Sequence, residues 1–221
     1  MRRLLVLRPE PGASATAQRA RALGLTAVAA PLFEIEPLEW DVPEVGGFDG
    51  LLLTSANAVR HSGERLRDLR GLPVYAVGEA TAEAAREAGF SVAATGDGGV
   101  DRLLGSIDQD LKLLHLCGED RRDPVETRQR ITNVPVYRAR PLDSPDLSAA
   151  EGAVALIHSP RAGRRFAELI RNRNSIVIAA ISPAAAESVG SGWAAAESAP
   201  EPDDDALLAL AVRLCDKPAP K

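Results

Sequence analysis

Pro31-Leu32-Phe33-Glu34-Ile35-Glu36-Pro37 and Pro135-Val136-Tyr137-Arg138-Ala139-Arg140-Pro141 share one frame, two prolines bracketing an aromatic residue, and lie 104 residues apart. Two further stretches keep the same register. Leu51–Val59 (LLLTSANAV) recurs as Ala155–Gly163 (ALIHSPRAG), and Val74–Ala82 (VYAVGEATA) recurs as Ile178–Ala186 (IAAISPAAA). Three elements at one offset indicate two similar halves. A period this long marks a duplicated, domain-sized unit and not a solenoid.

The duplication favours two small domains over one large one in 221 residues. Hydrophobic residues make up 45% and charged residues 26%, which suffices for cores of normal size. Aromatics are only 4%, so those cores are expected to be built from Ala, Val, Leu and Ile. The formal net charge of −5 argues against a duplex nucleic-acid binder, which usually carries a basic stripe. Met1–Arg8 has a short apolar run without a cleavage-type site, so no export signal is expected. No window approaches the ~18 apolar residues of a membrane span. Two distant cysteines make neither a disulfide framework nor a zinc site. A reducing cytoplasm is the expected compartment.

The chain alternates short apolar runs, small polar loops and helical stretches. Strands are expected at 3–7, 49–54, 74–77, 111–116, 154–158 and 176–181, with extended segments at 28–35 and 133–139. Ser14 reads as the cap of a first helix, Ser55 as the cap of a helix reaching about Leu69, and Gly89 as the stop after 79–88. Ser159-Pro160 and Ser182-Pro183 open two more helices. In each, the hydroxyl accepts a first-turn N–H and the proline forfeits no hydrogen bond. Asp203-Asp204-Asp205 suits the positive end of a last helix over 206–214. Continuous apolar strands alternating with helices predict an α/β fold with parallel sheets covered on both faces.

Ligands of such sheets sit beyond the carboxyl ends of the strands. The loops there are 8–12, 54–57, 78–81, 117–122, 159–161 and 182–185, each small or hydroxylic at a helix start. Any one of them reads first as an ordinary cap. Together they suit an anion-binding cleft. No GxGxxG, GxxxxGK[ST] or GxSxG motif is present. No His, Cys or acid spacing resembles a metal set. His115 and His158 lie inside apolar strands and read as satisfied, partly buried histidines. Cys117 reads as a small buried hydrophobe. Arginines crowd 121–140 and 161–173, mostly as solvated surface. Arg121, Arg138 and Arg161 stand at strand ends or in the proline-framed segment. Tyr137, one of two tyrosines, either touches a ligand or packs one domain on the other.

Leu53–Val59, Val74–Ala82, His115-Leu116-Cys117-Gly118, Val134–Arg138, His158-Ser159-Pro160 and Ala180–Ala186 with Gly192, in this order, resemble the uroporphyrinogen-III synthase family over nearly the whole chain. The resemblance implies two similar flavodoxin-like α/β domains joined by a two-stranded β linker. They would be residues 1–34 with 140–221, and 39–134, with linkers at 34–38 and 134–141. It implies a lyase of haem biosynthesis. The substrate would be hydroxymethylbilane, a linear tetrapyrrole rich in carboxylates, closed to uroporphyrinogen III with inversion of the fourth ring and loss of water. No cofactor, metal, nucleic acid or membrane is implied, and a cytoplasmic monomer is expected. Tyr137 matches the family's linker tyrosine and becomes the catalytic candidate. Substrate contacts are expected from Arg8, Thr54, Ser55, Gly78, Thr81, Gly118, Arg138, Ser159, Arg161 and Ser182. Thr81 matches a family threonine, whereas its counterpart in the other half is Ala185.

A non-catalytic hinge protein that binds an anionic small molecule fits the duplication equally well. A receiver-like domain would need an acidic cluster at the first strand end, where Arg8-Pro9-Glu10-Pro11 stands instead. Because both proline-framed segments are linkers, each repeat is expected to contribute to both domains. Ser55 is then expected to face Ser159, and Gly78 to face Ser182.

Overall fold

A computed structural model describes residues 1–96, 98–121 and 123–216. Its contacts divide the chain into one unit of Met1–Glu34 with Pro141–Lys221 and a second of Ile35–Arg140. The first unit holds β1 (Leu4–Val6), α1 (Gly12–Ala22), β2 (Ala27–Ala29), β9 (Val154–Ile157), α5 (Pro160–Leu169), β10 (Val177–Ala180), α6 (Pro183–Glu187), β11 (Ala195–Ser198) and α7 (Asp204–Asp216). The second holds β4 (Gly50–Leu53), α2 (Ala56–His61), β5 (Val74–Val77), α3 (Glu79–Glu87), β6 (Val92–Gly96), α4 (Val100–Gly105) and β7 (Lys112–Gly118). The chain passes between the units within β3 (Phe33–Pro37) and at the end of β8 (Arg130–Pro141).

The first sheet has the order β11-β10-β9-β1-β2 and the second β3-β8-β7-β4-β5-β6. Apart from the β3 edge, the two orders correspond strand for strand, with β9 in the place of β4, β10 of β5, β11 of β6, β1 of β7 and β2 of β8. All four pairings of the first sheet are parallel, as are those joining β8, β7, β4, β5 and β6. The 104-residue repeat is thus a repeat of topology in which β1 and β7 exchange places between halves. The central strands β1, β4, β9 and β10 are buried throughout, as continuous apolar runs in a two-sided sheet require.

Four local expectations change. The segment 28–35 is not one extended stretch. β2 ends at Ala29 and β3 starts at Phe33 in the other sheet, with Pro31, which has no N–H for a ladder, between them. The helix after Ser55 stops at His61, because Gly63 takes φ +68°, and a 3₁₀ turn covers Glu64–Leu69. Ser14 lies inside α1 and does not cap it. Its N–H and hydroxyl both donate to the Glu10 carboxylate, at 3.0 and 2.8 Å. The strands β6 and β11 and the helix α4 are additions.

Ser159 and Ser182 cap their helices as expected, accepting from the N–H groups of Ala162 and Ala185 at 3.2 and 3.3 Å. These two helices meet at Gly163, the counterpart of Val59. A methyl group there would fall on Ser188 Oγ, 3.1 Å from Val189 Cγ1 and 3.2 Å from the Ala185 carbonyl oxygen. Gly163→Ala is therefore expected to destabilise the fold by about 1–3 kcal/mol. Thermal unfolding checks this, and an unchanged midpoint would show that α5 and α6 separate freely.

Candidate functional site

In a doubly wound sheet the crevice opens where successive connections leave a pair of neighbouring strands in opposite directions. The second unit has this point between β4 and β7, and the first between β1 and β9.

At the β4–β7 edge, Ser55 caps α2 by accepting from the Asn57 N–H at 3.2 Å. Gly118 ends β7, and the register shifts there so that it pairs with Tyr137 of β8. The Tyr137 side chain packs against this glycine. A methyl group at position 118 would stand 2.9 Å from Cζ and 3.1 Å from the phenol oxygen. The Tyr137 carbonyl accepts the Glu119 N–H at 2.8 Å, which fixes the backbone beside it. The His61 ring is 6.3 Å away. Burial raises the Tyr137 phenol above its ordinary value, against a smaller opposing pull from a hydrogen bond with Ser55. The phenol therefore keeps its proton across the neutral range and can donate it.

Beside this ring runs a line of hydrogen bonds. Thr54 Oγ1 is 3.0 Å from His115 Nε2, and His115 Nδ1 is 2.8 Å from Asn133 Oδ1. Asn133 Nδ2 donates to Asp123 at 3.3 Å, and Arg121 Nε donates to the same carboxylate at 3.1 Å. His115 is 2% exposed, and burial lowers its pKa, partly offset by the Asn133 hydrogen bond. The expectation of a satisfied histidine holds, and Cys117 is buried as expected.

The β1–β9 edge is organised by one carboxylate. Asp204, at the start of α7, accepts from Arg8 at 3.2 Å, Thr16 at 2.9 Å and Arg19 at 3.0 Å. His158 Nε2 lies 3.0 Å from the same group. Burial alone would raise the Asp204 carboxyl. The hydrogen bonds from His158 and Thr16 and the charge of Arg8 outweigh it and hold the group well below the usual carboxylate range. Four segments of the first unit are joined here. The neighbouring Asp203 accepts the Ala206 N–H at 2.8 Å, so one acid of the run caps α7 while the next faces inward.

The arginines singled out from sequence do not stand open. Arg8 is bound to Asp204, and Arg138 donates to Glu36 at 3.1 Å, a carboxylate that Arg140 shares at 2.6 Å. The Arg161 guanidinium lies over the Phe33 ring at 4.8 Å. Each guanidinium has five donors, so pairing does not exhaust it. Gly78 differs from expectation. Its N–H is taken by the Gly96 carbonyl at 2.7 Å, and its φ of +81° shows that glycine is needed there for the turn into α3. Thr81 is 5% exposed, buried with Ala82, Ala84 and Ala85, so its hydroxyl does not stand at the open edge. Arg122, the last residue of the loop 117–122, lies outside the described residues. Ser55, Gly118 and Tyr137 gather in the second unit. Arg8 and Ser159 follow the adjacent strands β1 and β9 in the first, and Ser182 follows β10. Sequence reasoning missed Asp204, Asn133, Glu36 and His61. Only Asp204 left a signal, its place in the acidic run, and that run read as helix capping.

Among the described residues no group of three or more His, Cys, Asp or Glu side chains could hold a metal ion. No described helix is long and apolar enough to cross a membrane.

Two parallel α/β units of one topology, traversed by a chain that enters one, builds the other and returns, define a duplicated, doubly wound α/β protein. A family model described as Uroporphyrinogen-III synthase HemD matches residues 14–209, and the chain belongs to that family. A uroporphyrinogen-III synthase of Chlorobaculum parvum is 31% identical over 101 residues, 42% of this chain. The match spans 41% of that relative's length. The fold is similar to that of the uroporphyrinogen-III synthetase of Helicobacter pylori, with TM-score 0.65 and 18% identity over 97% of this chain and all of the other. It is similar also to a mutant uroporphyrinogen III synthase of Thermus thermophilus, with TM-score 0.55 and 17% identity over 98% of this chain and all of the other.

Proposed function

We propose that this chain converts hydroxymethylbilane to uroporphyrinogen III, inverting the fourth pyrrole ring, closing the macrocycle and releasing water. The observation that carries this reading is the Tyr137 phenol, fixed against Gly118 at the β4–β7 edge, in a chain that the family model matches over 14–209. The linear substrate loses its hydroxyl readily, so strong acid–base machinery is unnecessary. A protonated phenol donating to the departing oxygen, together with a surface that selects one folded conformer, suffices.

The carboxyl edges offer donors for the substrate's carboxylates. Ser159 and Ser182 accept a helix N–H with their oxygens, which leaves each hydroxyl hydrogen able to point outward, whereas Ser55 caps α2 and also hydrogen-bonds the Tyr137 phenol. The start of α5 is the positive end of its helix dipole and favours anions. Arg8, Arg138 and Arg161 supply positive charge near the strand ends or the connecting strand, oriented by the partners that already hold them. Gly78 shapes the α3 turn. Thr81 contributes through the packing of α3.

We infer also that the protein acts as a monomer in the cytoplasm, without cofactor or metal and without nucleic acid. The net charge of −5 supports the last point. The reading is tested by giving purified protein hydroxymethylbilane and timing its disappearance against spontaneous closure. Consumption well above the spontaneous rate is expected. No acceleration would leave a binding protein as the better reading.

A further inference from the structure

The line from Thr54 to Asp123 fixes the direction of its own hydrogen bonds. The Asp123 carboxylate accepts from Asn133 Nδ2, so Asn133 presents its NH₂ to that group and its carbonyl Oδ1 to His115. A carbonyl oxygen only accepts, so His115 Nδ1 carries the proton. In the neutral ring Nε2 is then a bare lone pair, and it lies 3.0 Å from Thr54 Oγ1. The Thr54 hydroxyl must donate to it. His115 is 2% exposed and sits beside Leu52 and Leu116 in the middle of the sheet, where an added positive charge is disfavoured.

The hydroxyl hydrogen of Thr54 is therefore spent inward. Thr54 is half-buried, and it follows the last residue of β4 at the crevice edge. What its oxygen offers outward is lone pairs only. Such an oxygen repels a carboxylate and accepts from an N–H. This separates Thr54 from the capping serines Ser159 and Ser182, whose hydroxyl hydrogens remain available.

We propose that Thr54 is a specificity-determining acceptor for a pyrrole N–H of the substrate, oriented by the Thr54–His115–Asn133 relay, and not a carboxylate contact. The proposal rests on the synthase reading, since it assigns part of that substrate to one atom. At the β4–β7 edge Thr54 then faces a ring nitrogen of the substrate and leaves its carboxylates to other donors.

Two measurements test it. In ¹⁵N-resolved spectra of the imidazoles, the free protein is expected to show His115 as the Nδ1–H tautomer, and Asn133→Leu to lose that preference. A His115 that is Nε2–H in the free wild-type protein overturns the proposal. In steady-state assays with hydroxymethylbilane, Thr54→Val is expected to raise KM about five- to tenfold, with the loss falling on KM and not on kcat, and Thr54→Ser to restore KM to within about twofold. An active wild type with an unchanged KM in Thr54→Val overturns the pyrrole assignment alone. Wild-type protein that does not accelerate closure overturns the synthase reading and this assignment with it.

Discussion

Replacing Tyr137 with Phe is expected to lower kcat on hydroxymethylbilane by about 10²-fold, the lower end of what a positioned general acid supplies. The ring itself stays. The ring carbons still pack on Gly118 and the backbone carbonyl still accepts the Glu119 N–H; only the phenol oxygen and its hydrogen bond with Ser55 are lost, so thermal unfolding is expected to move by about 1 kcal/mol. KM is expected to change little, because a proton delivered to the departing oxygen strengthens in the transition state and not in the ground state. The direction of the phenol's pKa matters here. Burial raises it, so the active, protonated form persists through neutral pH, and activity has no acid limb from this group. Full activity in Tyr137→Phe would remove the phenol from the chemistry and leave the ring as packing.

Asp204→Asn carries the largest expected stability effect. One carboxylate holds Arg8, Thr16, Arg19 and His158. The amide keeps the shape but loses the charge and turns one acceptor into a donor facing other donors. A cost of about 2–3 kcal/mol is expected, which for a chain of this size lowers the unfolding midpoint by about 5–10 °C. The effect depends on pH. The folded carboxyl titrates below its ordinary value, so its contribution is complete above the ordinary value of about 4 and is lost as pH falls through the depressed one. Unfolding of the two proteins is therefore expected to differ most near neutrality and to converge in acid. A constant difference down to strongly acidic pH would show that the charge of Asp204 is not what joins these segments.

The parts of the fold legible in the sequence are those written in local pattern. Leu51–Leu53 and Val154–Ile157 are unbroken apolar runs, and Ser159-Pro160 and Ser182-Pro183 start helices for local reasons. Edge elements escaped because their patterns are weak. β6 is Val92-Ala93-Ala94-Thr95-Gly96, with alternating exposure and mostly small side chains, and β11 is Ala195-Ala196-Glu197-Ser198. Gly63 ended α2 inside a stretch whose polarity still reads as helical.

The site divides in the same way. Tyr137 was visible as a lone tyrosine in a proline-framed segment. The partners that decide what the other residues can do are distant in sequence. Asp204 is 196 residues from Arg8, and Glu36 is 102 from Arg138. Nothing local announces such pairs. They follow from which strands the topology makes neighbours. Thr54 shows the same limit. Its hydroxyl suggests an anion contact until β7 places His115 beside it.

The isomer formed distinguishes a synthase from spontaneous closure most directly. Wild-type protein at high concentration, given hydroxymethylbilane at neutral pH and quenched early, should yield uroporphyrinogen whose oxidised form separates by chromatography almost wholly as the III isomer. Spontaneous closure, which keeps the fourth ring uninverted, gives the I isomer. A product that remains the I isomer however much protein is added would contradict the assignment.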